Sequence, residues 1–220
     1  MSKEIFLDKF HRNERVVFLS DGVFAIVLTL LVLELRVPQL KGDVSPSLLW
    51  NTVLAMKHNF LSFLLSFMFI SSLWFTHNQL FKLFEKVDNV VLWLNNFLLL
   101  MICIIPFPTA LIGQYFDNPV GIIILGSIWV ITPLLIFNMA TRAYHNNHLS
   151  KHVDLVQFHH LRKIALLFSP LSAVPLTFAW YYPQVAFAFY MARTILSIIL
   201  VTRVKLKVKH EAAAKHVIIP

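Results

Sequence analysis

The chain has 220 residues, of which 58% are hydrophobic and only 14% are charged, with a formal net charge of +8 at pH 7. This balance is too apolar for an ordinary soluble domain and predicts an integral membrane protein. A single cysteine, Cys103, excludes an intrachain disulfide, and the five scattered glycines form no phosphate-binding loop.

A short amphipathic segment at residues 1–14 opens the chain and is predicted to lie at the membrane surface. Segments of roughly twenty apolar residues can cross a bilayer core of about 30 Å as helices. The sequence predicts an all-α, polytopic membrane protein with one domain over residues 1–220 and six transmembrane helices. The predicted spans are residues 16–35, 60–78, 90–109, 120–141, 163–180 and 185–204, and the second is open to outward extension through residues 47–57.

The basic residues predict the orientation of these spans. With the N-terminus in the cytoplasm, nearly all lysines and arginines outside the spans lie in inner segments. The outer loops hold only Arg36 and Lys41 if Lys57 is counted with the outward extension of the second span. The pattern predicts a multi-pass protein of the cell membrane with both termini in the cytoplasm. Topology and contact with membrane lipid explain the positive charge, and no nucleic-acid partner is expected.

The first span carries an aliphatic stripe along one face. At 100° per residue, Leu30 and Leu33 each fall within about 40° of Ile26, with Gly22 below them and Thr29 at the edge. Taken alone, such a stripe is most typical of core packing. A helix that is apolar on all sides does not reveal which face meets lipid, protein or water.

Polar residues lie inside the first span, away from this stripe. Ser20 and Asp21 are rotated by about 120° and 140° from Ile26, and Arg15 lies too far from Asp21 for a bond within the helix. Partners are expected at the inner ends of the second and third spans, from His77, Asn78, Asn95 and Asn96. Two interpretations stay open: interhelical hydrogen bonding, which is the more common, and a proton relay through Asp21 and His77.

Three motifs give this chain a family resemblance. Arg15, Ser20 and Asp21, followed by A-I-x-x-T-L, resemble the R-x-x-x-F-S-D signature of the lysosomal and prokaryotic potassium channel family, the relatives of transmembrane protein 175. Trp74 and His77 in W-F-T-H agree with it, as does I-P-F-P-T at residues 105–109, expected to close the third helix. Leu19 replaces the aromatic residue of the signature.

The resemblance implies a homotetramer of six-helix subunits in which the first helix of each lines a central pore. Such a pore conducts potassium in preference to sodium, in a leak-like manner and without a T-V-G-Y-G filter. It implies no cofactor, no resident metal and no enzymatic activity; its ligands are permeating monovalent cations, chiefly potassium. By similarity, the pore constriction would comprise Ile26, Thr29, Leu30 and Leu33, and the supporting polar residues would be Arg15, Ser20, Asp21, Trp74, His77, Asn95 and Asn96.

Other interpretations of the sequence are set below the channel. A proton-coupled transporter would use Asp21 and His77 as coupling groups, with kinks available at Pro133, Pro170 and Pro175. A membrane scaffold without transport is a third option. A surface metal site is conceivable if His145, His148 and His152 share one helix face near Asp154.

Overall fold

The computed structural model describes the backbone of residues 3–40, 42–150, 153 and 155–217, and the side chains of residues 13–40, 42–150, 153, 155–156 and 158–200. The prediction of an all-helical chain is confirmed for these residues. The helices are α1 (Lys3–Leu30), α2 (Pro46–Ala55), α3 (Lys57–Phe81), α4 (Asn89–Ile104), α5 (Pro106–Gln114), α6 (Pro119–His145), α7 (Leu155–Ala173) and α8 (Pro183–Val217). Short 3-10 turns at Leu31–Glu34 and Val174–Thr177 follow α1 and α7.

Five segments of the described chain are long and apolar enough to cross a membrane. They are Asn13–Glu34, Lys57–Phe81, Asn89–Gln114, Pro119–His145 and Pro183–Leu200. The segment predicted at residues 163–180 is not among them; it overlaps α7, which begins at Leu155 and ends at Ala173, and the 3-10 turn that follows. The first turns of α7 hold His159, His160, Arg162 and Lys163, which lower the hydropathy of any long window there.

The third predicted span is broken in its middle. It was expected over residues 90–109, but α4 ends at Ile104 and α5 continues from Pro106 to Gln114. Proline has no backbone N–H and breaks the helical ladder, and the Ile105 N–H instead donates to Ile102 at 3.1 Å. The stretch 105–109 therefore lies at a break inside the span and does not close the helix.

Three other boundaries differ from the prediction. The amphipathic segment at residues 1–14 is continuous with the first span, because the backbone from Lys3 onward belongs to α1. The expected outward extension of the second span is a separate helix, α2, because the chain turns at Met56. The last helix, expected to end at residue 204, continues to Val217.

The bundle core lies where α3, α6 and α8 meet. Trp129 of α6 is fully buried, stacks on Phe69 of α3 at a ring separation of 4.1 Å, and meets Tyr190 of α8 edge-on at 4.8 Å. Large aromatic side chains remove the most apolar surface from their surroundings and hold helices at defined distances. Helix α1 packs beside this core, against α3 and α4, and leaves one of its faces uncovered.

Candidate functional site

The uncovered face of α1 and its 3-10 extension carries the predicted aliphatic stripe. Ile26, Leu30 and Leu33 are 58%, 44% and 65% exposed, and Gly22 and Thr29 on the same side are also exposed. A Cβ added at Gly22 would meet no atom within 4 Å. Within the single subunit these residues are therefore available to a neighbouring chain, to lipid or to water.

The opposite face of α1 is buried. Phe24 and Leu31 are 1% and 0% exposed, and Val16 and Val27 pack beside them in the main apolar cluster. Because these residues dock onto α3 and α4, the rotation of α1 about its axis is defined within the subunit. The stripe cannot turn inward without exposing Phe24 and Leu31.

Thr29 is the polar group on the uncovered face. Its Oγ1 lies 2.8 Å from the carbonyl oxygen of Ile26 and 3.1 Å from that of Ala25, so the hydroxyl proton is donated back to the helix. The oxygen lone pairs are left on the exposed side, where they can accept a hydrogen bond or approach a cation.

Behind the uncovered face, a buried hydrogen-bond network joins α1, α3 and α4. Asn95 donates from Nδ2 to Ser20 Oγ at 3.0 Å, and Asn95 Oδ1 lies 2.8 Å from His77 Nε2. Ser20 in turn donates to the carbonyl oxygen of Val16 at 2.8 Å. All three polar side chains are 0% exposed, so each bond exists without competition from solvent.

The network determines which nitrogen of His77 carries its proton. Because Oδ1 of Asn95 is only an acceptor, His77 Nε2 must donate, and Nδ1 is then the unprotonated nitrogen of the neutral ring. Nδ1 is buried and has no hydrogen-bond partner among the described residues. The ring stacks on Phe81 at 4.3 Å and packs against Phe24 at 5.6 Å, which fixes its orientation.

Asp21 has a different partner. Trp74 donates from Nε1 to Asp21 Oδ1 at 2.8 Å, so Trp74 bonds α1 directly, whereas His77 is linked to Ser20 of α1 only through Asn95. Asp21 and His77, which the relay interpretation pairs, thus make their hydrogen bonds to different side chains. The remaining members of the predicted set lie outside the network: Arg15 and Asn96 are exposed, and Asn78 is half-buried.

His145 and His148 do not share one helix face. His145 is the last residue of α6, and Asn147 has a φ of 54°, so the chain leaves the helix before His148. The expectation that these histidines share one helix face is therefore wrong, and His152 and Asp154 lie outside the described residues. Within the part of the chain that is described, no group of three or more histidine, cysteine or acidic side chains is placed to hold a metal ion.

Sequence reasoning missed three polar interactions. Asp88 caps α4 and binds Arg142 of α6, with Arg142 Nε 2.9 Å from Asp88 Oδ2. Ser66 and Thr109 join α3 to α5 at 2.6 Å. Arg193 is buried in α8 among aromatic rings. The sequence signal for Arg193 was a lone arginine inside an apolar run. The partners in the other two interactions are far apart in sequence, so the sequence carried no signal for them.

The helices and this network define a multi-span helical membrane protein, and comparison identifies its relatives. Residues 15–106 match the family model described as endosomal/lysosomal potassium channel TMEM175. A potassium channel of Chamaesiphon minutus is 40% identical over 105 residues, which are 48% of this chain and 51% of the relative. A potassium channel of Streptomyces collinus is 37% identical over 105 residues, 48% of this chain and 50% of the relative. The chain therefore matches about half the length of these curated relatives.

A solved structure extends the likeness beyond the matched segment. The crystal structure of a lysosomal potassium-selective channel TMEM175 homolog from Chamaesiphon minutus superposes with a TM-score of 0.73 at 26% identity, covering 88% of this chain and 98% of that one. In sequence and in fold the chain is therefore similar to TMEM175 channels, and the resemblance carried by its first three spans is confirmed.

Proposed function

We propose that this protein is a leak-like potassium channel, a homotetramer in which four copies of α1 surround a central conduit. The observation that carries the proposal is the uncovered face of α1, where Ile26, Leu30 and Leu33 are 44–65% exposed while the opposite face is locked into the subunit. A closed four-fold assembly would turn this one face of every subunit toward a shared axis. The names of the relatives support conduction of potassium.

The chemistry of the face suits a narrow apolar neck. Branched aliphatic side chains meeting on an axis exclude water, so an ion that passes loses part of its hydration shell. Potassium holds its water less strongly than sodium and therefore crosses such a neck more readily. Thr29, within one turn of Ile26 and Leu30, offers the Oγ1 lone pairs to a partly dehydrated cation. Ile26 is assigned as the main constriction and Leu30 and Leu33 as further layers.

The buried network has a supporting role in this proposal. Ser20, Asn95 and His77 hold α1 against α3 and α4, and Trp74 holds Asp21. Because the hydrogen bonds and the packing of Phe24 both fix the buried face of α1, the opposite face of the helix keeps a constant orientation. Arg15 and Asn96 are exposed and lie near the supporting network. We do not assign them a contact with the permeating ion.

The membrane arrangement is part of the same proposal. We assign α7 and the 3-10 turn after it as a sixth membrane crossing, in addition to the five candidate spans. The distribution of basic residues then places both termini in the cytoplasm of a cell-membrane protein that folds as one domain in contact with lipid. Permeating potassium is the only ligand that this function requires, and no catalytic role is proposed.

The orientation can be tested separately from conduction. In a Cys103→Ala background, a thiol introduced in place of Asp43 should react with a membrane-impermeant maleimide added to intact cells. A thiol in place of Glu85 should react only after the cells are opened. The reverse pattern would contradict the assigned orientation, whatever the outcome of flux measurements.

Conduction is tested by the ratio of potassium to sodium permeability in proteoliposomes. Ile26→Ala widens the assigned neck, so it should raise total cation flux and lower the preference for potassium. Ile131→Ala is the matched control, because Ile131 on α6 is 41% exposed and lies outside the assigned conduit. Equal permeability ratios in wild type and both variants would contradict the assignment of Ile26, and no ion flux in wild type would contradict the channel itself.

A further inference from the structure

We propose that the cavity beside Arg193 is a binding site for one small monovalent anion of the size of chloride. Arg193 lies on α8 within the span Pro183–Leu200, and its side chain is only 5% exposed. The site is lined by residues of α3, α6, α7 and α8, whereas the proposed conduit lies along the uncovered face of α1. The inference is independent of ion conduction.

Aromatic rings surround the guanidinium of Arg193. Its Cζ lies 4.8 Å from the ring centroid of Phe168, 5.1 Å from that of Trp129 and 5.9 Å from that of Phe69. Cation–π attraction stabilises the positive charge through the ring faces. The rings do not supply acceptors for the N–H groups at the edge of the guanidinium.

These N–H groups are poorly matched by the protein. Nη2 donates to the carbonyl oxygen of Phe168 over 3.4 Å, and Nε is buried without an acceptor. Arginine does not lose its proton to relieve such a mismatch. Among the described side chains, Arg193 makes no ion pair with a carboxylate; Arg142 and Asp88 form an ion pair elsewhere. A buried cation in a membrane span without a counter-charge is costly.

The cavity next to the guanidinium has a mainly apolar lining that includes four hydroxyl-bearing side chains. It has a volume of about 40 Å³, and Ser72, Ser197, Thr76 and Thr194 line it together with Arg193. Thr76 and Thr194 donate their protons to the carbonyl oxygens of Ser72 and Tyr190. Ser72 and Ser197 share one hydrogen bond of 3.1 Å, so one of the two hydroxyl protons is left to donate to an occupant.

Size and charge favour a single small anion as that occupant. The cavity is large enough for a few water molecules, so it also admits a small ion such as a halide. Water could accept from the arginine but would leave its charge uncompensated beside the apolar side chains of Leu73, Ile136 and Ile164. A halide accepts from both the guanidinium and the free hydroxyl and also neutralises the charge.

The test is thermal unfolding of the purified full-length protein in detergent, with chloride replacing gluconate at constant potassium concentration and ionic strength. We expect the Tm of wild type to rise saturably, by about 3 to 6 °C at ten times the Kd for chloride. Arg193→Gln should lose this rise. Arg162→Gln is the matched control and should retain it, since Arg162 also lies over aromatic rings, at 5.7 Å from Phe137 and 5.8 Å from Tyr144, but outside the cavity.

A second variant keeps the test decisive if Arg193→Gln does not fold. Ala165 lines the cavity, and Ala165→Val fills part of it while leaving the arginine in place. This variant should lose most of the chloride-dependent rise, and bromide soaked into crystals of wild type should give an anomalous peak beside Arg193. Identical Tm values for wild type in chloride and gluconate would overturn the proposal. So would a wild-type response in Ala165→Val or Arg193→Gln.

Discussion

His77 and Asn95 meet in the packing between α3 and α4, with His77 Nε2 2.8 Å from Asn95 Oδ1 and both side chains fully buried. Asn95 uses its other amide atom to reach Ser20 of α1, so one side chain connects all three helices. One buried amide therefore joins the assigned pore helix to α3 and α4 by hydrogen bonds, in addition to the packing of Phe24 and the bond from Trp74 to Asp21.

Replacing that amide should destabilise the protein measurably. In Asn95→Ala, the Nε2–H of His77 is left buried without an acceptor, and Ser20 loses a donor. We expect a loss of about 1–2 kcal/mol in the free energy of unfolding, read as a lower Tm in detergent. Asn96→Ala is the control. Asn96 follows Asn95 in sequence but is exposed, so the Tm of this variant should stay close to that of wild type. A similar Tm for both variants would contradict the role given to Asn95.

Conservative changes at Asp21 and His77 should separate conduction from proton coupling. Asp21→Asn keeps an oxygen that can accept from Trp74, and His77→Gln keeps a donor that can reach Asn95. The channel account expects potassium efflux from liposomes at symmetric pH to persist in both. Transport that requires a pH gradient in wild type, and stops in both folded variants, would favour the proton-coupled transporter.

The stability of the α4–α6 contact should depend on pH through Asp88. Partial burial raises the pKa of Asp88, but the hydrogen bond from the Val91 N–H and the neighbouring Arg142 and His148 outweigh it, so the net pKa lies below the ordinary value of 3.8. Folding therefore favours the carboxylate. Its stabilising effect is complete above the unfolded pKa and is lost as the pH falls through the lower folded pKa.

The measurement is the Tm of wild type and Asp88→Asn between pH 6 and pH 3. Asparagine can still cap α4, so this variant isolates the charge. The difference in Tm between the two proteins should be largest at pH 6 and should shrink on acidification. A difference that stays constant over this range would show that the carboxylate charge contributes nothing to the contact.

The helices were predictable from sequence to different degrees. Long apolar runs require helical hydrogen bonding in a membrane, so hydropathy located most spans. Helix ends depend on single residues instead: Pro106 breaks the third span, and the left-handed Asn147 ends α6 before His148. The polar first turns of α7 obscured where that helix begins.

The site was predictable where it depends on helical phase. A rotation of 100° per residue is enough to place Ile26, Leu30 and Leu33 on one side, and Ser20 on another. Phase alone does not reveal that the first side is uncovered, because burial of Phe24 and Leu31 against α3 and α4 decides it. The environment of Arg193 was missed because its aromatic partners come from three other helices.

In the proposed channel, the Ile26 face of α1 lines the ion path that four subunits share. The most direct measurement is block of potassium flux by a water-soluble, positively charged methanethiosulfonate reagent in Ile26→Cys, made in a Cys103→Ala background, with Ile131→Cys as control. The account predicts rapid block of Ile26→Cys, protection by high potassium, and no block of the control. An unreactive Ile26→Cys, or one that reacts while flux continues unchanged, would contradict it.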